Sequence, residues 1–466
     1  MKIQFKKMRG EKLIGLVFSS SLVLLSFGCE PPNTTTTNTT GNENTVAVNS
    51  APSNSANTAV PNKESRSKMP ITLPVLDAMF ADETFAGELK SKLQLTDEEI
   101  QSVKKLSREA VANLSESEAD DNAGSTRAAM ERADKQIRGI LGDEKTVKLF
   151  DLVIERWSGG TEDANNSSSK ASSIPTDTRI VVNAPAYRMD IFQEGKLVKS
   201  YKIGIGYPEF PLPSGLRKAD TIIFNPTWTP PDEPWVKGKI EPGKTVEAGD
   251  KLNPLGPIKI PIGLPSLIHG GKSPARLGGF ASHGCVGLTS PQVQDFALEL
   301  AKISGLALTA EDVKNYEKQK TETKNVKLDK PIPVELRYET IVVEDGKLKI
   351  YRDVYERGTN TEENLRSVLE TYGVSLDNLP EREKILAGLK LMAVDAGGNM
   401  IEVNSNTNSN SNSGKTNSAN SNSKNSNSID SSVTRNIKGK KEVSFDIAEL
   451  KGKGYPAMSA AKEIKK

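Results

Sequence analysis

Three tracts built almost wholly of Asn, Ser, Thr, Pro and small residues limit what this chain can fold into. They cover 30–69, 158–175 and 404–433. With so few large apolar side chains they cannot offset the entropy of ordering a backbone, and each reads as a disordered linker. What remains is a leader (1–29), a block at 70–157, a longer stretch at 176–403 and a basic tail at 434–466. Lys and Arg number 62 against 60 Asp and Glu, a formal charge of +2. Binding driven by bulk charge needs a strong basic excess, so nucleic acid is not an expected partner.

The leader opens with Lys2, Lys6, Lys7, Arg9 and Lys12, then runs apolar from Leu13 to Phe27. Interrupted by Gly15 and several serines, that run is short for a helix of about 20 residues crossing a bilayer. It reads as an export signal peptide ending at Gly28-Cys29, and resembles a bacterial lipoprotein signal with Cys29 as the lipidated residue. Ser26 departs from the aliphatic residue usual three before that cysteine. Ordinary secretion with a free Cys29, or a retained anchor, stays open. The lipoprotein reading implies the bacterial cell envelope, with the chain held to a membrane through a lipid anchor on the extracytoplasmic face.

The block at 70–157 has helical spacing. Leu93, Leu95, Ile100, Val103, Leu106, Ala110 and Leu114 recur mostly every three or four residues. Thr96 with Glu99 three residues on predicts a capping box. Later helices are expected around Ile137–Leu141 and Val147–Val153. With no His or Cys, this small helical domain reads as a spacer or as a docking module for an envelope protein. At 176–310 the period changes. Arg179–Asn183, Tyr187–Phe192 and Leu197–Ile203 are short β-type runs separated by turn residues. Ser290-Pro291 predicts the N-cap and first turn of a helix with Val293, Phe296, Ala297 and Leu300 buried and Gly305 closing it. At 311–403, Val334–Val343 and Leu348–Tyr351 around Glu344-Asp345-Gly346 predict a hairpin, followed by helices near 365–369 and 385–392. The fold class is α+β, a mostly-β domain preceded by a helical one. The tail at 434–466 is too short and basic to assign.

The chemistry concentrates in His269-Gly-Gly-Lys-Ser-Pro-Ala-Arg-Leu-Gly-Gly-Phe-Ala-Ser-His283-Gly-Cys285, which holds both histidines of the chain and its one cysteine outside the leader. An ordinary thiol, near pKa 8.5, is mostly protonated at neutral pH, and a nearby imidazole can take its proton. Cys285 and one of the two histidines are therefore a candidate dyad. Gly284 permits tight packing beside the nucleophile, and the main-chain N–H groups around Cys285 are candidates for an oxyanion hole.

Ser282-His283-Gly284-Cys285-Val286 with His269-Gly270 upstream resembles the signature of the L,D-transpeptidases (the YkuD family) of bacterial cell walls. The likeness extends to Pro213-Ser-Gly215, Asn253-Pro-Leu-Gly256 and the Ile-Val-Val-Asn strand. The hairpin at Pro333 to Tyr355 looks like the C-terminal extension of Gram-negative members. Together these span about 176–358. The resemblance implies Cys285 as nucleophile, His269 as general base and acid, and the Gly270 carbonyl orienting the His269 ring. The N–H groups of His283, Gly284 and Cys285 would serve the oxyanion, with Ser282 bracing the loop. It implies no cofactor and no metal. The substrate would be the stem peptides of peptidoglycan, cut at the L,D bond. Two positions depart from the family: Gly287 stands where many members carry Arg, and Gly271 where Thr or Ser is common. Arg276, Lys272 or Lys259 would then hold the substrate carboxylate. Trp228 and Trp235 either wall the cleft or pack loops.

Three other readings remain open from sequence alone: a zinc site of His269, His283 and Cys285; a wall-binding lipoprotein that is catalytically weak or inactive; and a hydrolase of the same bond.

Overall fold

The structure, a computed structural model, describes residues 69–112, 125–157, 173–229, 244–263, 265–401 and 437–458. The leader with Cys29, most of the three linker tracts, and Trp235 lie outside these residues. Among the described residues no helix is long and apolar enough to cross a membrane.

The N-terminal region is helical: α1 (Leu73–Met79), α2 (Glu83–Leu93), α3 (Asp97–Ala112) and α4 (Thr126–Trp157). Thr96 and Glu99 form the expected reciprocal cap, with bonds of 2.8 and 3.2 Å between each side chain and the other's N–H. Two helices were expected in the stretch that forms α4. It is indeed broken once, at Gly142, whose φ of +75° lies outside the helical region. Phe85, Leu89, Ile137, Leu149 and Trp157 close a core of its own for this region.

The sheet that follows has eight strands. In chain order they are β1 (Arg179–Asn183), β2 (Arg188–Gln193), β3 (Lys196–Lys202), β5 (Gly215–Phe224), β6 (Ile258–Pro261), β7 (Leu267–His269), β9 (Val286–Gly287) and β10 (Lys324–Arg337). Two short strands, β4 (Ile205–Gly206) and β8 (Phe280–Ser282), pair with each other in parallel. Across the large sheet the order is β3-β2-β1-β10-β5-β6-β7-β9. Helix α5 (Ser290–Ser304) buries Val293, Phe296, Ala297 and Leu300 against it, as the stripe predicts, and ends at Gly305 with φ +93°. Its cap sits one residue earlier than expected. Thr289, not Ser290, is the N-cap, because Gln292 three residues on completes a capping box with it.

The expected hairpin is present in part. Residues 334–337 are the end of β10, which runs parallel to β1 and antiparallel to β5 in the middle of the large sheet. The hairpin proper is β11 (Ile341–Glu344) with β12 (Lys347–Tyr351). A boundary near 310 would thus cut the main sheet at its centre. After helices α6 (Ala310–Lys318), α7 (Glu362–Thr371) and α8 (Arg382–Met392), part of the basic tail returns as β13 (Glu442–Asp446), antiparallel to β12. The hairpin, α7, α8 and the segment ending at Leu450 share a separate core that includes Ile350, Leu369, Ile385 and Ile447.

Candidate active site

His269 ends β7, and Cys285 immediately precedes β9. The two strands are parallel, with Ile268 level with Val286 and His269 level with Gly287. Cys285 lies in the bend just ahead of β9, beside the Leu267 main chain of β7. His269 is buried at 3% exposure, whereas Cys285 is half-buried.

The turn bearing the thiol is fixed by its own residues. Ser282 Oγ accepts from the Cys285 N–H at 3.0 Å and donates to the Cys285 carbonyl at 2.5 Å, so one hydroxyl closes the loop around the thiol. The Cys285 N–H is thereby already bonded, which leaves Gly284 N–H as the better candidate oxyanion donor. Gly284 has φ +89°, a region open to glycine at little cost. The His283 ring does not converge on the thiol with His269 as a metal-ligand group. It lies edge-on to Tyr207 and Phe210, with centroids 5.1 and 4.8 Å away. Among the described residues no three His, Cys, Asp or Glu side chains are placed to hold a metal ion.

His269 Nδ1 and the Gly270 carbonyl are 2.8 Å apart. In the tautomer that donates this bond, Nε2 carries the basic lone pair. Burial first, then the charges of Lys272 and Lys259, push the imidazole down to about 3, against a smaller opposing pull from the Gly270 and Leu255 main chain. The ring is therefore neutral at physiological pH. Burial likewise raises the Cys285 thiol, countered by a bond to the Leu267 main chain and by the Lys272 ammonium. The resting pair is neutral thiol and neutral imidazole, rather than the thiolate and imidazolium that proximity alone suggests.

The remaining sequence candidates separate. Lys272 is half-buried and electrostatically coupled to Cys285, and burial pulls its ammonium down. Arg276 is exposed, in a short 3-10 turn (Pro274–Arg276), and acts on Lys272 rather than on the thiol. Lys259 lies level with His269 across β6 and β7. Trp228 is half-buried and exchanges main-chain bonds with Val246 at 3.0 and 2.7 Å. Four residues around the site carry no role in the sequence argument. Leu255 and Leu267 contribute main-chain groups, for which a side chain gives no signal. Tyr207 and Phe210 did leave one: two aromatics set among Pro208, Pro211 and Pro213 in a loop with no strand pattern. The likeness at Asn253 has a physical basis, since its side chain accepts from Leu255 N at 3.0 Å and donates to Pro226 O at 2.8 Å, setting the turn that faces His269.

Residues 177–304 match the sequence profile of YkuD, the L,D-transpeptidase catalytic domain. Among solved structures, the chain is similar to the catalytic domain of the Enterococcus faecium L,D-transpeptidase at 17% identity, over 35% of this chain and 100% of that one, with a TM-score of 0.23. It is similar to an L,D-transpeptidase from Mycobacterium smegmatis at 13% identity, over 34% and 58% of the two chains, TM-score 0.21. With L,D-transpeptidase 3 from Mycobacterium tuberculosis the identity is 14%, over 34% and 60%, TM-score 0.21. The chain spans about half the length of the longer relatives, 50% for a mutant of the E. faecium enzyme. No curated protein matches the chain.

Proposed function

We propose that the chain is an L,D-transpeptidase, a cysteine acyltransferase acting on peptidoglycan stem peptides. The observation that supports this reading is the parallel pairing of β7 and β9, with His269 at the end of one strand and Cys285 just ahead of the other, within the stretch that matches the YkuD domain. The proton of Cys285 passes to the neutral His269 as sulfur bonds the carbonyl carbon of the L,D peptide bond. The C–N bond breaks, the leaving D-alanine amine takes that proton, and a thioester remains. An acceptor amine then yields a proton to His269 and forms the new C–N bond. The C–S bond breaks and the thiol recovers its proton. The acceptor is a second stem peptide, which makes a wall cross-link. Gly284 N–H, and that of His283, face the developing oxyanion, where loss of one donor costs about 3–4 kcal/mol.

Cys29 is the lipidation site in this reading, the cell envelope the location, and the helical region a spacer or a docking surface for an envelope protein. A tether of this kind would raise the local concentration of the site near the wall. The test is mass spectrometry of disaccharide-tetrapeptide stems incubated with the full chain. Dimers joined through third residues, with D-alanine released, are expected. Their persistence in Cys285→Ala would refute the mechanism, and release of D-alanine without dimers would make the protein a hydrolase.

A further inference from the structure

Gly287 and Lys272 fill one space between them. A Cβ built on Gly287 would lie 2.8 Å from Lys272 Cγ, 3.3 Å from Cε and 3.5 Å from Cδ. The lysine stem therefore crosses the strand at position 287, which lies level with His269. Its base is fixed. Lys272 N–H donates to the Leu288 carbonyl at 3.0 Å. The preceding Gly271 turns at φ +78°, so close to Pro254 O and Gly256 N that a Cβ there would sit 2.8 and 2.9 Å from them. Among the described residues no carboxylate pairs with the Lys272 ammonium. A half-buried cation without an acid partner is costly unless a polar or anionic group offsets it, and the one ionisable acid coupled to it is the Cys285 thiol.

We infer that Lys272 poises Cys285: its ammonium, threaded across Gly287, offsets the negative charge that develops on sulfur, while His269 moves the proton. This rests on Cys285 being the nucleophile. The groups that bear on the thiol are Lys272 from the loop after β7 and the Leu267 main chain from β7. Arg276 bears on Lys272, and Lys259 on His269. The chain thus places a cation beside the thiol from a loop, at the cost of a side chain in the strand. Gly287 is the vacancy that makes this possible.

The test needs no substrate. The full chain is alkylated with iodoacetamide, an uncharged reagent, across neutral to alkaline pH, and loss of the unmodified Cys285 peptide is followed by mass spectrometry. Lys272→Met keeps the stem over Gly287 and removes the charge. Its profile should move up by about one pH unit, slowing alkylation near neutrality about tenfold. Lys272→Arg should restore the rate to within about threefold of the parent. Gly287→Ala, which keeps the charge but displaces the stem, should move the profile the same way as Lys272→Met and decides the matter should that variant fold poorly. A Lys272→Met or Gly287→Ala profile that superimposes on the parent overturns the inference. Lysine-dependent alkylation without any transfer product would instead defeat the proposed function and leave this inference standing.

Discussion

A thiol raised by burial and an imidazole lowered by it make opposite statements about pH. Thiolate accumulates only above the ordinary thiol range, so alkylation of Cys285 in the parent should keep rising through about pH 9 with no plateau below it. A plateau near neutrality would mean that an ion pair already exists at rest. For His269 the folded value, about 3, lies below the ordinary value of 6.5. Between those limits the unfolded chain binds a proton that the folded chain does not, so this group's contribution is intact above pH 6.5 and shrinks as pH falls. His269→Gln should therefore lose less of its urea midpoint than the parent between about pH 7 and pH 4. Equal losses would show that the ring is solvated. The clustering of His269, His283 and Cys285 was legible in the sequence because the chain is so poor in histidine and cysteine that it could not be diluted. The tie between Lys272 and Gly287 was not. The missing side chain at 287 was visible as a departure, but what fills its space depends on a loop crossing a strand, and no spacing rule encodes that.

Short elements hold the site, and their ends carry the strain. Gly284→Ala adds a Cβ that meets only Phe210 O at 3.8 Å, so its cost is the left-handed backbone alone, about 1–3 kcal/mol. A transfer rate that falls by more than this destabilisation explains, read beside the melting temperature, would show that the turn aims the nucleophile. Thr289→Ala removes the N-cap of α5 and should cost about 1 kcal/mol in urea unfolding, with Ser290→Ala near neutral. The reverse order would restore Ser290 as the cap. Both residues can cap a helix, and Gln292 settles between them by its distance from Thr289, a finer rule than the Ser-Pro pair alone. The strand run at 334–343 was readable as β structure but not as two strands in two sheets. Tyr338 breaks it by turning its hydroxyl to Asp353 at 2.6 Å and accepting from Tyr355 N at 2.7 Å, partners known only after folding.

At the scale of the whole molecule, the helical region reaches the site through two threonines. Thr72 Oγ1 donates to the Glu209 carbonyl at 2.6 Å, and Thr126 Oγ1 to the Pro208 carbonyl at 2.9 Å. These carbonyls belong to the loop whose Tyr207 and Phe210 flank His283. Glu356 ties the same corner down, accepting from Ser125 Oγ at 2.6 Å and Thr126 N at 2.7 Å. Thr126→Val should leave the helical core folded, since the lost bond is worth about 1 kcal/mol, yet impair transfer severalfold. Unchanged kinetics would confine the helices to a spacer role. The far end of the chain holds a different lesson. Ile401 N bonds the Ala393 carbonyl at 3.1 Å and Lys438 N bonds that of Ala396 at 3.0 Å, so the backbone departs and re-enters at neighbouring points. A protease nick anywhere in the Asn/Ser stretch between them would thus yield two polypeptides that still migrate as one particle, the shorter clamped by β13 and by Lys441 bonded to the Gly278 carbonyl just ahead of β8.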